Sequence, residues 1–180
     1  MLKVDSKKSG YTLVEVLVVV SIIGILSSIG VVSLRDAVAN ARVKDCALNT
    51  TAFLERVANE ASRLSKPLCV KRLNAQTLAV YETNSCNDLP EVLFDSFVIE
   101  APASFDCGAD FGSGQDIDGP DWAAEGGLFE PRIGLSALPA NGFVCVQYGN
   151  ESNYGVAVKS SDNNRVIPMW NIDGLWNQLQ

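Results

Sequence analysis

The stretch KKSGYTLVEVLVVV, Lys7 to Val20, sets two lysines and a Ser-Gly pair ahead of an apolar run that continues to Val32. The run from Tyr11 to Val32 is 22 residues long, and a helix needs about 20 to cross the hydrocarbon of a bilayer. One carboxylate, Glu15, stands inside it. A central acidic residue costs on the order of 3 kcal/mol on insertion scales, so it calls for a partner. Lys7 and Lys8 precede the run and predict an N-terminus that stays cytoplasmic.

A secretory signal or a plain anchor would leave Glu15 unexplained. Ala37-Val38-Ala39 does offer a small-x-small cleavage site. The apolar run, however, exceeds the roughly 7–15 residues of a signal core, and Arg35 and Asp36 crowd the approach to that site.

Lys8-Ser9-Gly10, followed by Tyr11-Thr12-Leu13-Val14-Glu15 and a long Val/Ile run, resembles the class III signal of type IV pilins and type II secretion pseudopilins. The family usually has Phe where this chain has Tyr11. The resemblance implies that a prepilin peptidase cuts between Gly10 and Tyr11 on the cytoplasmic face and that Tyr11 becomes the N-methylated first residue. It also implies an assembly role for Glu15, whose carboxylate would face the Tyr11 amine of a neighbouring subunit. An unpaired buried charge is strongly destabilising, so such a pair fixes register more than it adds stability. The implied partners are other pilin or pseudopilin subunits, the prepilin peptidase and an inner-membrane assembly platform.

Beyond the run no proline occurs until Pro67, and Leu34, Val38, Ala41, Leu48 and Ala52, then Leu54, Val57, Ala58, Ala61 and Leu64, recur at spacings of three and four. The spacing predicts one helix from about Tyr11 to Leu64, roughly 80 Å long at about 1.5 Å per residue. From Pro67 the period changes to two. PLCVKRL and TLAVYET read as a hairpin turning near Asn74-Ala75-Gln76, VLFDSFVIE as a third strand, and GFVCVQYG, YGVAVKSS and NRVIPMW as three more. In the tail, Trp170, Leu175 and Trp176 read as packing anchors. Residues 101–141, rich in Gly, Pro and acid, read as one long loop.

The expected fold is therefore α+β and pilin-like, a long N-terminal helix packed on a mainly antiparallel β head. Its parts would be a leader over 1–10, a transmembrane or filament-core helix over 11–32, an amphipathic stem over 33–65 and a β-rich head over 66–180. ANEASRLSKPLCVKRL running into a hairpin, and the closing VAVKSSDNNRV, also resemble the heads of H-type minor pseudopilins and related minor pilins.

Asp116, Asp118 and Asp121, in the sequence DIDGPD, are a candidate calcium loop, since hard cations favour clustered oxygens. The stretch lacks the Glu that closes an EF-hand, and Asp-Gly-Pro is ordinary turn chemistry; a solvated acidic loop with no metal is the preferred reading. The chain has five cysteines and no CxxC pair. Cys86 and Cys107 flank polar sequence and are disulfide candidates across the third strand. Cys69 and Cys145 lie in apolar strand patterns that could also meet, so connectivity stays open.

Charge narrows the function. The net charge is −7, and the three lysines and one aspartate of residues 1–10 leave −9 on the remainder. Nucleic-acid affinity comes largely from Lys and Arg neutralising phosphates, so no nucleic-acid partner is expected, and a DNA-capturing minor pilin is the weaker alternative. The absence of His removes the commonest general base, and no glycine-rich phosphate loop follows a strand. The chain reads as a structural filament subunit, not an enzyme, with no cofactor. It would be held in the bacterial inner membrane with a periplasmic head until it is polymerised. A membrane tether that never polymerises is the other alternative, and Glu15 argues against it.

Overall fold

The computed structural model describes residues 10–88, 92–106, 121–131, 134–135, 142–149, 154–160, 165–172 and 175–179. It opens with α1, Leu13–Leu64, a single helix of 52 residues. The chain divides into two compact units, Met1–Val38 and Ala39–Gln180.

In the first unit the side chains of Leu13, Val14, Leu17, Val20, Ile22, Ile25 and Leu26 are all exposed. The helix they belong to is long and apolar enough to cross a membrane. Ser21 and Ser28 turn their hydroxyls back onto the carbonyls of Leu17 and Ile25, at 2.8 and 2.7 Å, so neither presents a free donor to an apolar environment.

Among the described residues the second unit is built on the rest of α1, a short helix and ten strands. Ala39, Val43, Ala47, Thr50, Leu54, Val57 and Ala61 are buried, and their spacings of three and four make one face. Thr50 and Thr51 satisfy their hydroxyls on the carbonyls of Cys46 and Ala47. The helix ends where Ser65 takes a left-handed conformation at φ 54°, with Lys66 N–H donating to the Ala61 carbonyl and Pro67 next.

The first sheet has the order β3-β2-β1-β5-β6, with β1 Leu68–Asn74, β2 Thr77–Glu82, β3 Asp95–Val98, β5 Gly127–Glu130 and β6 Gly134–Leu135. The second has the order β10-β9-β8-β7-β4, with β4 Ala103–Ser104, β7 Phe143–Tyr148, β8 Tyr154–Ser160, β9 Arg165–Ile172 and β10 Leu175–Gln178. Every pairing within them is antiparallel. The architecture is a pilin-like α+β fold.

One core joins helix and sheets. Phe53, Leu54, Val57 and Ala61 of α1 meet Leu68, Val70, Leu78, Val80 and Phe129 of the first sheet, and Val144, Val146 and Val166 of the second. Phe53 stacks on Phe97 with ring centroids 4.9 Å apart. Where α1 crosses the second sheet the contact is backbone-close. A Cβ on Gly155 would lie 2.6 Å from the Val43 carbonyl oxygen and 2.8 Å from the Ala47 methyl. Nearby, the Lys44 ammonium sits 3.7 Å from the centre of the Trp170 ring.

Three expectations change. Residues 101–141 are not one loop: β4, β5, β6 and the short helix α2, Trp122–Glu125, all fall there, and β5 pairs directly with β1. Leu175 is 70% exposed, so it packs no tail. It lies on β10, whose role is to extend the second sheet along β9. Finally, Cys86 does not pair with Cys107; it is bonded to Cys69. The hairpin register sets Cys69 opposite Tyr81, and just beyond β2 the Thr83 hydroxyl folds the chain back by accepting from the Ser85 amide at 3.2 Å. That turn returns Cys86 to β1, Cα to Cα 5.5 Å. Cys145 is also disulfide-bonded, and Cys107 lies outside the described residues.

Cys46 is a free thiol. Non-reducing peptide mapping should therefore link the Cys69 and Cys86 peptides and find Cys46 alkylated without prior reduction. A Cys86 peptide linked to any other cysteine would contradict this arrangement.

Candidate functional site

The sequence places its functional residues at the start of α1, and the geometry there follows from one threonine. Gly10, Tyr11 and Thr12 are exposed and lie outside the helix. The carbonyl of Thr12 accepts from the Val16 amide at 3.2 Å, and its Oγ1 accepts from the Glu15 amide at 3.2 Å. These are the two marks of an N-cap residue. The cap satisfies one of the four amides that a helix start leaves without partners.

Glu15 consequently stands in the first turn of α1, where the helix dipole favours a negative charge. It is the fourth residue after Tyr11, which is 83% exposed. Val16, Leu17, Val18, Val19, Val20, Ile22 and Ile23, which follow, are all exposed. The arrangement offers a short non-helical peptide, then a carboxylate, then a membrane-length helix.

Residues 5–31 match the family model of the prokaryotic N-terminal methylation motif. The chain carries a prepilin-type methylation motif. The matched segment includes Gly10, Tyr11 and Glu15 together, and it points to a structural protein that is processed, methylated and membrane-associated. No curated protein and no solved structure matches the chain.

Away from the methylation motif, the candidate calcium residues have different fates. Asp116 and Asp118 lie outside the described residues. Asp121 is the N-cap of α2, its Oδ1 accepting from the Ala123 amide at 2.9 Å. Among the described residues no group of three or more Cys, Asp or Glu is placed to hold a metal ion.

Burial raises the Asp121 carboxyl above the usual range. The amides of Ala123 and Ala124 and the Arg72 charge pull the other way, and Asp106 adds to the rise. A carboxyl raised on folding contributes stability that is full below its unfolded value and is lost as pH climbs through the folded one. Asn is as good an N-cap as Asp. Asp121→Asn should thus melt above the parent at pH 7, with the gap closing below about pH 4. Melting curves across that range check it, and a destabilised variant at neutral pH would contradict it.

Cys46 is half-buried on α1. Burial first, and then the neighbouring Asp45, push its thiol up, so it is a poor nucleophile. The hairpin disulfide and the α2 cap escaped the sequence reading. The signal for α2 was present, since Asp121 directly precedes Trp122-Ala123-Ala124-Glu125 in the pattern of a cap and first turn.

Proposed function

We propose that this chain is a structural subunit, of the minor kind, of a type II secretion pseudopilus or a type IV pilus. The methylation motif carries the reading, with Glu15 in the first turn of a membrane-length helix. Residues 11–32 would hold the subunit in the inner membrane, N-terminus inward, and then enter the filament core. The unit from Ala39 onward would face the periplasm and present its surface to neighbouring subunits.

The pairing of charges gives the mechanism. Cleavage after Gly10 creates an amine on Tyr11, four residues from the Glu15 carboxylate. In a helical stack, each Glu15 would accept from the Tyr11 amine of a neighbour. The pair desolvates two charges that neither subunit could bury alone.

Intact-mass analysis of the chain from its native membrane tests the reading. The mature chain should lack residues 1–10 and carry one methyl group on Tyr11. A mature chain beginning near Asn40 would instead mark a removed secretory signal and overturn the filament assignment.

A further inference from the structure

We propose that Thr12 is a positioning residue for maturation: by capping α1 it holds the Gly10–Tyr11 peptide bond outside the helix, where a peptidase can take it. The inference rests on the reading that the cut falls at that bond. Hydrolysis there adds water to the Gly10 carbonyl carbon and breaks its bond to the Tyr11 nitrogen, leaving a carboxylate on Gly10 and an amine on Tyr11. The attack needs a carbonyl that is open on one face. Within a helix the same carbonyl would accept from the amide four residues on and be walled in by the first turn.

The structure keeps it out of that position. The first helical bond is the one from the Val16 amide to the Thr12 carbonyl, so the carbonyls of Gly10 and Tyr11 lie ahead of the ladder. What fixes the ladder at this point is the Thr12 hydroxyl on the Glu15 amide. Leu13, Val14 and Val16 carry no side-chain acceptor that would do so. Thr12 and Glu15 also stand in the T-x-x-E spacing of a capping box. Only the threonine arm, onto the Glu15 amide, is a hydrogen bond seen here. That makes the hydroxyl, and not the carboxylate, the group that sets the start. Without it, the ladder is free to advance a turn and take the Gly10 carbonyl as the acceptor of the Val14 amide.

The test uses the full chain in detergent with purified prepilin peptidase, comparing the parent with Thr12→Val, Thr12→Ser and Thr12→Asn. Valine keeps the shape and removes the acceptor; serine and asparagine keep an acceptor. The initial cleavage rate (kcat/KM) should fall about tenfold for Thr12→Val and stay within about twofold for the other two, as the loss or retention of a typical cap implies. Amide exchange at Val14, whose acceptor would become the Gly10 carbonyl, should slow in Thr12→Val alone. Parental cleavage of Thr12→Val, unchanged exchange at Val14, or serine and asparagine variants as slow as valine would each overturn the cap's role while leaving the cut site standing. An uncut parent chain would overturn the cut site itself, and this inference with it.

Discussion

A Glu15→Ala subunit should insert and lose residues 1–10 as the parent does, and then be nearly absent from filaments. Insertion should improve slightly, because a carboxylate leaves the apolar run. Cleavage should persist because the Thr12 cap acts through the Glu15 backbone amide, which alanine retains. Assembly should fail because the neighbour's Tyr11 amine would be drawn into an apolar core without a counter-charge. Removing one member of a buried pair costs about 3–5 kcal/mol, more than about a hundredfold at each interface. Glu15→Asp should fall between, its charge kept but one methylene short. Quantifying membrane-held and sheared-filament protein for the three chains decides the matter. If Glu15→Ala enters filaments at the parental level, the pairing is wrong.

The largest effect on folding is expected at Gly142. A Cβ there would stand 1.7 Å from the indole nitrogen of Trp122 and 2.3 Å from Cε2. Trp122 is 2% exposed and meets the Phe129 ring edge-on, with centroids 6.5 Å apart. A Cβ on Gly127 would be 3.0 Å from the indole Cγ. Two glycines thus approach the ring too closely to carry side chains, and Gly142→Ala must expel it or displace the start of β7. Losing a packed indole costs about 3–5 kcal/mol, against a total of about 5–15 for a whole protein. For a chain of this size that lowers Tm by about 10 °C. Thermal melting of the purified full chain measures it, and an unchanged Tm would mean that Trp122 does not fill this site.

Much of this was legible in the residues. The apolar run, the carboxylate and the Lys-Ser-Gly-Tyr register gave the methylation motif without any structure, because they answer to the bilayer and the peptidase and not to tertiary context. The β1–β2 hairpin was equally open, since two short apolar runs, Leu68-Cys69-Val70 and Leu78-Ala79-Val80, flank Asn74-Ala75-Gln76, although both are buried continuously and not in alternation. The middle was hidden for physical reasons. Residues 127–130 become a strand only because β1 offers an edge to pair with, and Gly127 within it is there to seat an indole. The Cys69–Cys86 bond depends on a register and a side-chain-held turn that cysteine spacing does not encode. At the N-terminus, Tyr11 read as helical on its apolar pattern, whereas the Thr12 cap starts the helix at Leu13.

The hairpin disulfide makes the head's fold depend on where the chain is. Cys69 and Cys86 are 17 residues apart, and closing a loop of that size is worth about 3 kcal/mol. Gly126, at φ 94°, seats the end of α2 directly on the bridge, where an added Cβ would lie 2.6 Å from that of Cys86. A thiol-reducing cytoplasm denies the bond and an oxidising compartment grants it. A head that has not left the cytoplasm is therefore a weaker object than one that has. On the proposed topology the bridge would serve as a proof of address, closing only once the unit from Ala39 onward has reached an oxidising compartment.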